Sequence, residues 1–363
     1  MLFFVNGLAL GSWLPRLPEI RDGLGVGPSG LGLALAVGGL GGLAGSAISG
    51  LVVARFGARA SALRPAVALA ALMPLLALAP SAVWFALVLA TLAVVDSIAD
   101  VGMNALAVRI EEARGRSIFS RLHGIWSLGS LTGAGVSTLA VAAGAGLVPQ
   151  LGVTSLVGVV GVAWARRFVT DTGARPRPQP SKGRGGIAMW LALAGAGAAF
   201  IEATASDWSA IYLTDALGAG PGIAGAGFVC LSAGMLAGRF GGDHVVDRLG
   251  PGRTLLVALA VVAAGVGFTV AASSVATTLA AFGLWGVGVS VVFPLMYSVA
   301  GSHPAFSEGA ALAALTTGSR FGFLAGPFAV GWLAEASDLP TAFLVVMSGA
   351  LLACLGSLLT TRR

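Results

Sequence analysis

Asp96, Asp100 and Asn104 recur every four residues in the otherwise apolar run LAVVDSIADVGMNALAV, Leu92 to Val108. Successive members of such a series drift only about 40° around an α-helix, so both carboxyl groups and the amide share one face. A basic turn follows, and a second apolar run then carries His123. A carboxylate and an imidazole on adjacent helices can pass or share a proton, and a structural hydrogen bond between helices explains His123 equally well. Glu202 and Asp207 stand five residues apart in a later apolar run. They point about 140° apart and do not act as a pair. Glu202 is the candidate proton acceptor or substrate contact. Asp207, with Trp208 and Tyr212, reads as a gate or as an interfacial anchor, the anchor being favoured for Tyr212. Arg320, in TTGSRFGFLAG, sits mid-segment and needs an anion: Glu202, Asp96 or a substrate carboxylate. Arg239 and Asp243, four residues apart, read as an ion pair on one helix surface. Ionisable groups inside apolar runs are costly in lipid and usually face a cavity or a partner. Together they describe the lining of a polar pathway through a membrane.

The elements that position these residues follow from hydropathy. The chain has 363 residues, 56% hydrophobic and 10% charged, with mean hydropathy +0.92. A soluble chain carries roughly a quarter charged residues. Twelve apolar segments are expected, at about 1–14, 29–53, 62–79, 82–109, 118–142, 147–165, 187–213, 222–246, 254–272, 276–300, 307–333 and 341–360. A span needs about 20 residues, and the first segment is shorter, so either the start codon lies upstream of Met1, which is preferred, or the first helix is abbreviated. The fold class is therefore all-α integral membrane. Most of the 55 glycines fall inside apolar segments, where small residues let helices approach closely. Runs such as Gly38 to Gly45 accordingly read as packing seams rather than phosphate cradles.

The net charge of +6 does not point to nucleic acid. With both termini cytoplasmic, 17 of the 21 basic residues fall in inner loops and tails, as the positive-inside rule requires. Residues 166–186 are basic and proline-rich and divide six spans from six, giving halves at 1–165 and 187–363. An internal repeat supports the division: Val53-Ala54-Arg55-Phe56-Gly57 follows the second span and Val246-Asp247-Arg248-Leu249-Gly250 the eighth. Cys230 and Cys354 read as small buried residues. Lys182 is followed by Gly183, so no P-loop is present, and the scattered His and Cys suggest no metal site. No cofactor is expected, and no nucleophile–base constellation suggests an enzyme.

These features resemble the major facilitator superfamily, whose cytoplasmic signature is roughly G-x-x-x-D-R-x-G-x-R. The second half carries Asp247, Arg248, Gly250 and Arg253, with Gly242 one residue early; the first keeps Gly50, Arg55, Gly57 and Arg59 but has Ala54 in the acidic position. Within the superfamily, GMNALAV…GRSIFSRLHGIWSLGSLTGA and EATASDWSAIYLTDALG are similar to the YbjJ-like group of bacterial inner-membrane facilitators. The resemblance implies twelve transmembrane helices in two pseudo-symmetric six-helix halves, rocking around a central site. It implies that spans 3, 6, 9 and 12, which have no ionisable residue in their interiors, face lipid. It implies that Asn6 and Trp13 on span 1 face the cavity. It also implies a cytoplasmic gate of Arg55, Arg59, Asp247, Arg248 and Arg253, with Asp247 meeting the start of the fifth span near Ser117 to Arg121. The expected function is secondary transport of a small polar or drug-like solute, with proton coupling through Glu202, Asp96, Asp100 or His123. The setting is the bacterial inner membrane, and the expected state a monomer whose partners are solute, protons and the lipid bilayer. The alternative is a non-transporting membrane receptor or accessory protein built on a transporter scaffold.

Overall fold

The computed structural model describes residues 1–114, 119–169, 185–301 and 308–361, and among these there are helices and turns but no strand. In the first part of the chain the helices are α1 (Leu2–Trp13), α2 (Leu17–Leu24), α3 (Pro28–Leu72), α4 (Ala82–Arg114), α5 (Phe119–Ala142) and α6 (Leu147–Ala165). After residue 184 come α7 (Gly185–Asp215), α8 (Pro221–Ala224), α9 (Ala226–Leu249), α10 (Pro251–Ala271), α11 (Val275–Val289), α12 (Val292–Gly301), α13 (Glu308–Ala336), α14 (Leu339–Phe343) and α15 (Val346–Thr361). Among the described residues nine segments are long and apolar enough to cross a membrane, and one of them, Pro28–Leu76, has 49 residues. At 1.5 Å per residue that segment is about twice the length one crossing needs.

The repeat seen in sequence explains how this long segment turns back. Gly57 interrupts α3 with φ 81° and ψ 158°, and Gly250, between α9 and α10, has φ 77° and ψ 161°. This region of backbone space is open essentially to glycine alone. The matching pentapeptides thus end in the same backbone conformation, each reversing the chain between two membrane helices.

The first pass is longer than expected. Helix α1 continues through a 3-10 turn, Leu14–Arg16, into α2, so the helical path runs to Leu24 rather than stopping at residue 14. Pro15 and Pro18 sit in the first turns of their helices, where a missing N–H costs nothing. Arg16, expected in a loop, is 2% exposed. Its Nε donates to Glu19 Oε2 at 2.7 Å, and a terminal nitrogen donates to the Ala145 carbonyl at 3.0 Å.

Contacts divide the chain into two compact units. One comprises Met1–Gly25, Val37–Pro178 and Pro221–Gly225; the other comprises Val26–Ala36, Gln179–Gly220 and Ala226–Arg363. In the first unit α1 lies directly on α5. Gly7 and Gly11 back onto the carbonyls of Trp126 and Ser130, and Gly129 and Gly133 onto those of Phe4 and Leu8. No side chain fits in that seam. In the second unit α7 and α13 meet the same way, with Gly195 on the Leu315 carbonyl and Gly318 and Gly322 on those of Ala192 and Ala196. Close backbone approach through small residues is how helices associate where lipid supplies no hydrophobic drive. The run Gly38 to Gly45 serves the same purpose, packing α3 on Leu89, Ala90 and Val94 of α4.

The second unit also corrects an expectation. Tyr212 and Trp208 are 1% and 0% exposed, so neither is a lipid-interface anchor. The Tyr212 hydroxyl donates to the Thr269 carbonyl at 2.9 Å, and its ring packs with Phe282 and Phe343, which in turn meet Trp285. The opposite character appears on α6, α10 and α15. There Leu156, Val160, Phe268 and Leu351 are each more than half exposed, a surface suited to lipid.

Candidate functional site

In the first unit, three polar side chains from three helices meet. Asn6 on α1 is buried; its Nδ2 donates to Asp96 Oδ1 on α4 at 2.5 Å, and its Oδ1 accepts from Trp126 Nε1 on α5 at 2.7 Å. Chemistry fixes the amide's orientation. An indole N–H only donates and an ionised carboxylate only accepts, so Asn6 must turn its oxygen to Trp126 and its nitrogen to Asp96. Asp96 is half-buried, and its hydrogen bond is charge-assisted while it is ionised.

Further along the same face of α4, Asn104 Nδ2 donates to Asp100 Oδ1 at 2.9 Å, which joins the i and i+4 positions read from the sequence. The Asn104 Oδ1 atom is buried without a hydrogen-bond partner. The His123 ring is half-buried and lies 5.5 Å from the Phe3 ring, tilted by 58°. Asp96, Asp100 and Asn104 therefore occupy one face, as their spacing requires. Asn6 is the residue that joins this face to α1 and α5.

In the second unit, Glu202 on α7 is half-buried, and the charge acting on it is Arg239 of α9. The attraction is mutual, Glu202 acting on Arg239. This attraction links α7 to α9. Glu202 was one of three anions expected for Arg320, beside Asp96 and a substrate carboxylate, and the ion pair expected between Arg239 and Asp243 involves a side chain that lies outside the described residues. Asp207 is half-buried on α7 and, among the described residues, forms no hydrogen bond or ion pair. Arg320 is half-buried on α13.

Of the residues expected at the cytoplasmic gate, at the ends of helices that carry the repeat, Arg55, Asp247, Arg248 and Arg253 are exposed and Arg59 is half-buried. Asp247, Arg248 and Arg253 flank Gly250. Arg55 lies over the ring of its neighbour Phe56, 5.6 Å from the centroid. Arg59 does something spacing did not suggest. Its Nε donates to the Val169 carbonyl at 2.6 Å and a terminal nitrogen to that of Arg166 at 3.2 Å, just beyond the C-terminus of α6. A cation there meets the negative end of the helix dipole. Most of the segment expected to meet Asp247, residues 117–120, lies outside the described residues or their side chains.

Chemically, the arrangement offers carboxylates held on helix-to-helix ties inside apolar segments. Among the described residues, no group of three His, Cys, Asp or Glu side chains could hold a metal ion.

Comparison with known proteins locates this arrangement. The family model described as Major Facilitator Superfamily matches residues 1–305 and 191–363. An uncharacterized MFS-type transporter of Yersinia pestis is 30% identical over 344 residues, spanning 94% of this chain and 90% of that protein. Membrane protein MosC of Rhizobium meliloti is 28% identical over 356 residues, 97% of this chain and 87% of that protein. Among solved structures, the chain is similar to a mutant of the nucleoside transporter NupG, with TM-score 0.80 and 12% identity over 99% of this chain and 98% of that one. It is also similar to a bacterial homolog of the human lysosomal transporter Spinster in an inward-facing, unoccupied conformation, with TM-score 0.72 and 14% identity over 99% and 95% of the two chains. At these identities the structural likeness establishes the fold.

Proposed function

The chain belongs to the major facilitator superfamily of multi-pass membrane transporters, and from that premise we propose that it is a proton-coupled secondary transporter of a small polar organic or drug-like solute, working by alternating access. The moving parts in this reading are the halves 1–165 and 187–363, joined by the linker 166–186. The basic residues of that linker and of the repeat loops support a cytoplasmic position for both termini and for the gate around Asp247. With Ala54 in the first copy of the repeat, the gate is asymmetric and leans on Asp247. The bacterial inner membrane is the setting.

One observation carries the coupling: each unit ties two membrane helices together through a carboxylate. Ionised Asp96 strengthens the Asn6 bond between α1 and α4, and ionised Glu202 balances Arg239 between α7 and α9. Adding a proton to either group weakens its tie, and in the second case it removes the attraction between Glu202 and Arg239. A solute that rearranges these helices therefore changes the affinity for protons, and by reciprocity protons change the affinity for solute.

Two transport modes separate the claims. Counterflow exchanges solute without net proton movement, whereas accumulation against a gradient needs coupling. In proteoliposomes screened with pools of sugars, acids and cationic drugs, Glu202→Gln is expected to keep counterflow and lose accumulation driven by a pH gradient. Gradient-driven accumulation surviving in both Glu202→Gln and Asp96→Asn contradicts coupling through these ties.

A further inference from the structure

One cation of the long helix α13, Arg320, has no partner in the ties described above. Arg320 lies twelve residues after Glu308 and sixteen before Ala336. That is about 18 Å and 24 Å of helix from the two ends of α13. Among the described residues no hydrogen bond or ion pair reaches Arg320, and Glu202 is engaged by Arg239.

The face of α13 that carries Arg320 is neither the packing seam nor the lipid surface. Gly318 and Gly322 rest on α7, and Arg320, two residues from each, points about 160° away from them. Phe321, Phe328 and Trp332, at 54%, 49% and 60% exposed, form the outer apolar surface. They lie roughly 80–120° around the helix from Arg320. Pro327 and Gly331 continue the Arg320 stripe, and at that level the start of α3, Pro28 to Gly32, covers it. Two turns earlier, at Arg320, the stripe is only half-buried. One turn from Arg320, Phe323 stacks on Phe293 of α12 with ring centroids 6.3 Å apart and planes within 8°, both rings half-buried.

We propose that Arg320 is the docking point for an oxyanion of the transported solute, and that the solute is an organic anion whose apolar or aromatic portion lies along Phe323 and Phe293. The inference rests on the transport reading above and names its substrate class. A guanidinium offers paired N–H donors that match a carboxylate or a phosphate monoester in two parallel hydrogen bonds. Ring contact beside it favours a flat body over a bare inorganic ion.

The probes are benzoate, phenyl phosphate, the neutral isostere benzamide, and inorganic phosphate. Each is titrated against the detergent-purified full chain by thermal shift, and benzoate and phenyl phosphate are then followed by radiolabelled counterflow in proteoliposomes. Stabilisation by benzoate or phenyl phosphate, with benzamide and inorganic phosphate silent, is the expected result. The more effective of the two anions tells carboxylate from phosphate recognition. Arg320→Gln is expected to weaken anion binding on the order of a hundredfold, and Arg320→Lys, which keeps the charge and guards against a folding defect, about tenfold. Equal stabilisation by benzamide, an unchanged affinity in Arg320→Gln, or no effect of either organic anion overturns the proposal. Binding that needs Arg320 without counterflow upholds the anion site and counts against the transport reading. Counterflow of neutral solutes unaffected in Arg320→Gln does the reverse.

Discussion

The two reversal glycines offer a test in which the same substitution is made at two places that sequence and backbone both call equivalent. Replacing Gly57 or Gly250 with Ala forces a Cβ into a conformation with φ near 80° and ψ near 160°. A non-glycine residue held there costs on the order of 1–3 kcal/mol. Nothing lies within 4 Å of a Cβ at Gly250, so the cost at that position is conformational and not a clash. Gly50 in α3 and Gly252 in α10 are matched controls: they are helical, and a Cβ there also meets nothing within 4 Å. Ala at these two positions is expected to stabilise by about 0.5–1 kcal/mol. For a cooperative unit of about 150–250 residues each kcal/mol moves Tm by roughly 2–4 °C. Gly57→Ala and Gly250→Ala are therefore expected to lower Tm by about 2–12 °C in detergent, with opposite signs at Gly50 and Gly252. The sites are distant, so the double variant should show the sum of the two losses. Fluorescence-detected size-exclusion after heating reads this directly. Equal Tm values for all four variants refute the claim that the repeat encodes a glycine-only reversal.

Other consequences concern single contacts. Asn6→Leu strips the partner from Trp126 Nε1 and from Asp96 at once, and is expected to cost about 1–3 kcal/mol of stability. A double-mutant cycle with Trp126→Phe should recover part of it, and additive losses would show that the tie is not made. Gly129→Leu drives a side chain onto the Phe4 carbonyl in the α1–α5 seam, and about 1–3 kcal/mol of destabilisation, or failure to assemble, is expected on thermal unfolding. Outside the membrane segments, hydrogen bonds from the Thr341 side chain and its backbone N–H hold the Asp338 carboxyl below its usual range where it caps α14. A depressed folded-state value means the cap's contribution is complete above the unfolded carboxyl range near pH 4 and is lost as pH falls through the lowered value. Asp338→Asn, which keeps an N-cap acceptor without the titration, should flatten that acid-side loss of Tm.

What could be read from sequence is what lipid imposes. A backbone in hydrocarbon must satisfy its own hydrogen bonds, so apolar runs become helices, and hydropathy located most of the passes. The four-residue spacing of Asp96, Asp100 and Asn104 likewise survives in the fold because a helix face is a local property. The paired pentapeptides announced the reversals because glycine is the one residue their backbone accepts. The first pass was misjudged because Pro15, Arg16 and Pro18 look like a loop. In the fold the prolines start helices, and the arginine is buried on Glu19 and the Ala145 carbonyl. Partners far apart in sequence had no spacing to reveal them. Asn6 and Trp126 are 120 residues apart. The charge acting on Glu202 is Arg239 of another helix, which no local spacing rule names. Tyr212 has the composition of an interface anchor, and only the packing of α7 shows that its ring is turned inward onto Phe343.

The most direct test of the transport reading is solute-dependent proton movement in proteoliposomes, followed with a pH-sensitive dye enclosed in the lumen. With an aromatic carboxylate supplied on one side, the wild-type chain is expected to change luminal pH at a rate that saturates with solute, and Glu202→Gln to bind the same solute without moving protons. A luminal pH that is unchanged by every solute shown to exchange in counterflow would contradict proton coupling.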